Sequence, residues 1–374
     1  MSVKVDIPTV SEKFKELRIA VVSTSLTEGT NDLWEAVRPY VGELLVIGPA
    51  QSRSINPTGT AGLAVVDFGK GAIWRYIRGL RRTLREFNPD LVHVNSELWG
   101  IPAVEASLLG YPFVVHGAEN IWWHGGIVER WLRQALLRLV LARSKGYASW
   151  NRAGEEYIQN VKPRLPTAVW PAIIPPILFQ QASWHGADRV DGVFDILLVG
   201  RLVRFKGVYQ LLEAAQRLGE YGPVHISICG VGPELESLRD LAKRLRIDCT
   251  FLGHLSPQQL ILQMVRVDCM VQPSISTSEV VEQFGRSVAE ALTVGVPVLV
   301  SNSGELPEFM NGDERWVFPE GDIDALVTRL KALMLGGSET LLDASTVQSA
   351  YGERFNSESA SRAVLAFWLK VLSS

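Results

Sequence analysis

Arg201 and Lys206 directly follow an apolar run, Phe194 to Val199, in the segment Gly200-Arg201-Leu202-Val203-Arg204-Phe205-Lys206-Gly207. Val208, Leu211, Leu212 and Ala215 then recur at helical spacing, so the two cations sit on a strand-to-helix loop. That arrangement suits a diphosphate: Arg201 can bind oxygens with its planar fork, and Lys206 supplies a point charge beside a helix N-terminus. Solvated loop charges would produce the same spacing. A second loop, Gly230-Val231-Gly232-Pro233-Glu234, has glycines that let a backbone approach a nucleotide, or that simply make a tight turn. Leu235 occupies the third-glycine position of a dinucleotide fingerprint, which excludes a dehydrogenase reading.

Two carboxylates bracket a further loop. Glu282 precedes Gly285, and Glu290 follows it on a helix predicted to begin near Arg286 from Val288, Ala291 and Leu292. Amides around Phe284, Gly285 and Arg286 at a helix start can meet phosphate or sugar oxygens, and Glu290, one turn on, can accept from vicinal hydroxyls.

The elements that must carry these residues follow from length and pattern. With 374 residues the chain has room for about two domains, and 47% hydrophobic against 21% charged residues is a globular balance. Short apolar runs at 18–24, 43–47, 63–68, 91–95 and 112–116 alternate with helical stretches and read as parallel strands buried on both faces. The rhythm restarts at 194–199 and continues at 224–229, 249–252, 269–272 and 297–301. These runs predict an acceptor-side domain over 1–176, a linker over 177–192, a second domain over 193–356 and a final helix over 357–374. In an open parallel sheet the ligand lies beyond the carboxyl ends of the strands, where the cations and carboxylates above fall.

A net charge of −3 argues against a dedicated nucleic-acid binder. Three cysteines, Cys229, Cys249 and Cys269, suit a reducing cytoplasm. The charged Met1–Leu17 stretch does not read as a signal peptide, and no apolar run is long enough for a membrane span.

In order and spacing, Arg201 and Lys206 in their Gly-Arg-Leu and Lys-Gly setting, the Gly230–Pro233 loop, Phe251-Leu252-Gly253, the Glu282/Glu290 pair and Ser303-Gly304-Glu305-Leu306-Pro307-Glu308 resemble the nucleotide-sugar half of retaining glycosyltransferases of family 4. Many relatives have Gly where Glu305 stands. The resemblance implies a GT-B architecture, an α/β fold of two doubly wound Rossmann-like domains facing a cleft. It implies a nucleotide-diphosphate sugar as co-substrate, with no cofactor and no metal, and a glycan or glycolipid acceptor. It makes Arg201 and Lys206 the diphosphate ligands, Glu290 the ribose ligand and Glu282 a contact to the sugar. Phe284, Gly285, Arg286, Gly230, Gly232 and Gly253 complete the donor side. His116, in a strand-end His-Gly turn, takes the role of facing the donor sugar, with Glu119 and Ser25 on the acceptor side. A lone histidine after a strand is otherwise more often structural. A nucleotide-sugar epimerase of the same fold and a non-catalytic nucleotide-sugar-binding subunit are the alternatives.

Asp322-Ile323-Asp324 matches a metal-binding string, but its place at a helix start predicts capping instead. In the first half, residues 70–90 interleave Trp74 and Tyr76 with Arg75, Arg78, Arg81, Arg82 and Arg85, and residues 121–146 combine Trp122, Trp123 and Trp131 with further arginines. Basic, Trp-bearing helices suit an anionic membrane surface as well as the plain covering of a sheet, so the expected location is cytoplasmic or peripheral at the inner face of a membrane.

Overall fold

The computed structural model describes residues 14–24, 28–49, 63–66, 73–117, 126–170, 172–174, 184, 192–278, 280–336, 351 and 354–373. The chain divides into two compact units, Met1–Ile173 with Asn356–Ser374, and Ile174–Phe355.

The first unit is built on a parallel sheet of β1 (Arg18–Ser23), β2 (Glu43–Pro49), β3 (Leu63–Val66), β4 (Leu91–Asn95), β5 (Phe113–Gly117), β6 (Gly146–Ser149) and β7 (Thr167–Val169) in the order β3-β2-β1-β4-β5-β6-β7. Strand order reverses at β1 and β4, whose carboxyl ends are joined where the Asn95 amide nitrogen donates to Ser23 Oγ at 3.3 Å. Such a switch point is where open sheets take ligands. Helices α2 (Ile73–Phe87), α3 (Ile101–Leu109) and α4 (Ile127–Arg143) cover one face through Tyr76, Leu80, Leu84, Ala106, Leu137 and Val140. On the other face, α1 (Glu28–Val37) packs Leu33, Trp34 and Val37 against the final helix Ser357–Leu372, which buries Val364, Phe367 and Trp368. A further helix, α5 (Arg152–Val161), is capped by the Asn151 side chain, which accepts from the Gly154 amide.

The second unit carries β8 (Phe194–Val199), β9 (Val224–Cys229), β10 (Asp248–Gly253), β11 (Cys269–Gln272), β12 (Val298–Ser301) and β13 (Val317–Phe318), all parallel, in the order β10-β9-β8-β11-β12-β13. Its switch point lies between β8 and β11. The helices are α6 (Val208–Leu218), α7 (Leu235–Leu245), α8 (Pro257–Met264), α9 (Arg286–Val294) and α10 (Ile323–Leu335), with the final helix α11 (Ser357–Leu372) belonging to the first unit. The apolar spacing read from the sequence is what α6 buries: Val208, Leu211, Leu212 and Ala215 all join the core.

Three features differ from the sequence reading. Strands β6 and β7 were not expected, because Gly146-Tyr147-Ala148-Ser149 lacks a β-branched run; its burial comes from position between β5 and β7. Most of the passage read as a linker, 177–192, lies outside the described residues, yet Trp184 within it is 7% exposed and its indole N–H donates to the Val267 carbonyl at 2.9 Å. That residue is an anchor in the second unit's core. Two-residue β13 is too short to announce itself by periodicity.

Candidate functional site

The chemistry-bearing residues of the second unit gather where its strand order reverses. After β8 the chain makes a 3-10 turn, Arg204–Lys206, and enters α6 through Gly207. After β11 it continues through Pro273 and Ser274 into the loop that holds Glu282, and enters α9 through Gly285 in the left-handed region. These two loops meet: the Ile275 amide donates to the Phe205 carbonyl at 2.7 Å, and Lys206 Nζ donates to Glu282 Oε2 at 2.6 Å. Sequence reasoning placed both side chains at a ligand but did not foresee that they bond to each other.

Glu282 is held from several directions. Ser274 Oγ donates to the same Oε2 at 2.7 Å. Its backbone carbonyl accepts from the Glu305 amide at 3.1 Å, and Gly304 (φ +53°) passes so close that a Cβ there would lie 2.0 Å from that carbonyl oxygen. The Ser303–Glu308 motif therefore has a steric reason for its glycine. Both of these side-chain bonds fall on Oε2, and Glu282 Oε1 has no hydrogen-bond partner among the described residues. Lys206 has three N–H donors and uses one on Glu282, so it can also serve an anion.

Arg201 is exposed, and no ion pair or hydrogen bond engages its guanidinium among the described residues. Glu290 lies on α9 and accepts from Arg286 Nε at 3.1 Å, an i,i+4 pair. Burial pushes the Glu290 carboxyl above its ordinary range, and Arg286 opposes that shift. Helix α9 begins at Arg286 as the spacing predicts, and the Val288 and Ala289 amides both donate to the Gly285 carbonyl, at 2.9 and 3.2 Å. The Phe284 ring packs edge-on against Phe309 and Phe355, with centroids 5.4 and 5.9 Å away, which leaves its backbone as the part free to face a ligand.

The glycines of the β9 loop carry a packing role in addition to any contact with a nucleotide. A Cβ at Gly230 (φ +145°) would lie 1.8 Å from the Gly200 carbonyl oxygen, and one at Gly232 would lie 2.2 Å from that of Leu202. The Gly230 amide donates to the Gly253 carbonyl at 2.7 Å, so the three expected donor-side glycines lie at neighbouring strand ends. Asp322 caps α10 by accepting from the Ala325 amide at 2.9 Å, and Asp324 pairs with Arg217, so both aspartates of the metal-like string have structural partners.

In the first unit His116 is the last residue but one of β5 and is 2% exposed. Its ring stacks on Trp150 at 4.6 Å and tilts onto Trp170 at 4.4 Å. Nε2 is buried with no hydrogen-bond partner among the described residues. Burial, with a smaller contribution from neighbouring His93, holds the imidazole well below its usual range and therefore neutral. Glu119 and Ser25 lie outside the described residues.

Sequence reasoning missed Gln272 and Ser274, both fully buried. Reading the residues that directly follow β11 in the same way as those after β8 would have found them.

Comparison with known proteins assigns this architecture. Residues 186–347 match the family described as glycosyl transferases group 1, and residues 26–171 match the glycosyl transferase 4-like domain. The glycogen synthase of Mycobacterium tuberculosis is 28% identical over 266 residues, covering 67% of this chain and 62% of that protein. The putative colanic acid biosynthesis glycosyltransferase WcaL of Escherichia coli is 30% identical over 143 residues, covering 37% of this chain and 35% of that protein. The chain thus spans less than two thirds of the length of these relatives. Among solved structures, Anabaena Alr3699/HepE in complex with UDP and glucose superposes with a TM-score of 0.73 at 18% identity, over 96% of this chain and 100% of that one. The two matched regions together cover most of the sequence, each unit is a doubly wound parallel sheet, and the fold is GT-B: the chain belongs to the group 1 glycosyltransferases.

Proposed function

We propose that the protein transfers a sugar from a nucleoside-diphosphate donor to a glycan or glycolipid acceptor, with retention at the anomeric carbon and without a metal ion. The observation that carries this reading is the convergence of Arg201, Lys206 and Glu282 at the switch point of the second unit, with Glu290 one turn into the adjoining helix. Two cations there can neutralise the leaving diphosphate, the task a divalent ion performs elsewhere. Glu290 accepts from ribose hydroxyls and Glu282 Oε1 from sugar hydroxyls. The Anabaena neighbour solved with UDP-glucose supports a nucleotide-sugar donor, and the relatives named for glycogen and colanic acid synthesis support a glycan acceptor. Those names speak for transfer rather than for epimerisation or ligand binding alone.

The first unit would present the acceptor, with His116 at the end of β5. Its outer layer supports contact with an anionic bilayer. Arg75, Arg78, Arg82 and Arg85 are exposed on α2 at alternating spacings of three and four, beside Trp74 at 78% exposure. In the same layer α4 exposes Ile127, Val128, Trp131 and Leu132. A groove of about 520 Å³ is lined by Trp74, Ile77, Arg78, Arg81, Arg82, Arg85 and Glu86. Arg81 is spoken for, since it grips buried Glu105 through two bonds of 2.6 and 3.1 Å. Among the described residues no helix is long and apolar enough to cross a membrane.

The test is to incubate the protein with UDP-, GDP- and ADP-sugars, with and without glycan acceptors, in EDTA. Acceptor-dependent release of nucleoside diphosphate, with the donor's anomeric configuration kept in the product, is the expected result. Donor conversion without acceptor would replace transfer by epimerisation, and a rate that EDTA abolishes and added metal restores would overturn the metal-free reading.

A further inference from the structure

A chain of side-chain hydrogen bonds runs beneath Glu282, and its direction is fixed by counting hydrogens. Ionised Glu282 can only accept, and Lys206 can only donate. Ser274 Oγ lies 2.7 Å from Glu282 Oε2 and therefore spends its single hydrogen on the carboxylate. Having no hydrogen left, Ser274 must accept from its other neighbour, so the Gln272 amide nitrogen, 2.9 Å away, faces it. That orientation turns Gln272 Oε1 toward Ser287, whose hydroxyl donates to it at 3.2 Å. Every hydrogen points one way, from Ser287 on the first turn of α9, through Gln272 at the end of β11 and Ser274 after it, to Glu282. Gln272 and Ser274 are both fully buried, and the Ser274 carbonyl is tied to β12 by the Ser301 hydroxyl at 2.5 Å.

Resting on the donor site proposed above, we infer that Gln272 and Ser274 are positioning residues that hold Glu282 for the donor sugar while Lys206 turns to the diphosphate. The ion pair alone would not do this. An arriving diphosphate competes with Glu282 for the Lys206 ammonium, and a carboxylate released from that cation would be free to rotate. Ser274 keeps Oε2 engaged throughout, so Oε1 stays directed at the sugar. Gln272 adds to this by donating to Ser274: a side chain at 272 that cannot donate leaves the Ser274 hydrogen on Glu282 but removes the bond that holds the hydroxyl itself in place. Buried, one-way networks of this kind hold a group with less rotational freedom than a single bond does.

The experiment is calorimetric titration of the full chain with UDP, GDP and ADP and with their glucose or mannose conjugates. Measurements cover wild type, Ser274→Ala, Ser274→Ala with Gln272→Met, Glu282→Ala, and Glu282→Ala with Ser274→Ala. The Gln272→Met variant removes the buried amide that Ser274→Ala would strand, which guards against simple loss of fold. For the nucleotide that wild type binds, both Ser274 variants are expected to bind the sugar conjugate about tenfold more weakly, with nucleoside-diphosphate affinity within about twofold of wild type. In the Glu282→Ala background, Ser274→Ala is expected to change nothing further. Equal losses for diphosphate and conjugate, or the same tenfold loss without Glu282, would overturn the positioning role while leaving the donor site standing. Failure of wild type to bind any of these nucleotides would instead overturn the donor site, and the relay with it.

Discussion

Lys206 Nζ donates to Glu282 Oε2 at 2.6 Å and joins positions 76 residues apart in the chain. Both side chains are largely buried, at 13% and 10% exposure. Each compensates the other's charge, and the pair pins the loop after β8 to the loop after β11. The cation that the proposed function assigns to a diphosphate is thereby held at the strand ends.

Removing one member strands the other. Lys206→Ala is expected to lower folding stability by about 3 kcal/mol, since an unpaired carboxylate is left in a desolvated place. Lys206→Ala combined with Glu282→Gln should cost less than the two single changes together. Urea denaturation of the four proteins checks this, and strict additivity would mean that the pair contributes nothing as a pair.

Gly304 makes a second, steric prediction. An added Cβ would strike the Glu282 carbonyl oxygen in a backbone conformation that side chains disfavour. Gly304→Ala should cost roughly 1–3 kcal/mol and displace Glu282, so transfer should fall more than the stability loss accounts for. Full activity measured well below the melting temperature would show that this loop does not set the carboxylate.

These two contacts mark the boundary of what the sequence discloses. The strands after which Arg201 and Gly230 stand, the start of α9 at Arg286 and the Asp322 cap are local: apolar runs, helical spacing and a capping side chain act within a few residues. The Lys206–Glu282 bond and the approach of Gly304 to Glu282 arise because the strand order reverses between β8 and β11, which no local pattern encodes. Arg81 shows the same limit. Its spacing made it one more exposed basic residue, but its partner Glu105 comes from the neighbouring helix.

The Arg81–Glu105 pair separates two groups of arginines that sedimentation with lipid vesicles can tell apart. Arg78, Arg82 and Arg85 changed together to Ser should reduce sedimentation with anionic vesicles at low salt without lowering the melting temperature. Each charge near such a surface contributes about 1 kcal/mol, and salt should weaken the effect. Arg81→Ser should do the reverse, lowering the melting temperature with little change in sedimentation, because it leaves buried Glu105 unpaired. Wild type remaining in the supernatant with anionic vesicles at low salt would make these helices a cover for the sheet and nothing more.

Acid should unfold the first unit through its histidines. Burial lowers the His93 imidazole to about 3, with Trp368 Nε1 donating to its Nδ1 at 3.0 Å, and lowers His116 as well. In the unfolded chain the same groups take up protons near pH 6.5, at about their ordinary pKa. For His93 the unfolded state therefore binds more protons as pH falls from about 6.5 toward about 3, which removes about 1.4 kcal/mol of stability per pH unit in that window, and His116 acts in the same direction. Above pH 7 neither contributes a slope. Thermal melts of wild type and His93→Gln at pH 7, 6 and 5 should show a shallower decline for the variant, and parallel declines would contradict a neutral buried His93.

The central claim is that Arg201, Lys206 and Glu290 hold a nucleoside diphosphate in the second unit. Titration of wild type, Arg201→Ala, Lys206→Ala and Glu290→Ala with UDP, GDP and ADP tests it without knowledge of sugar or acceptor. One of the three nucleotides should bind wild type and lose about tenfold to a hundredfold in affinity in each variant, as expected when a charge-assisted contact is removed. Unchanged affinity in both Arg201→Ala and Lys206→Ala, with the proteins folded, would contradict the assignment.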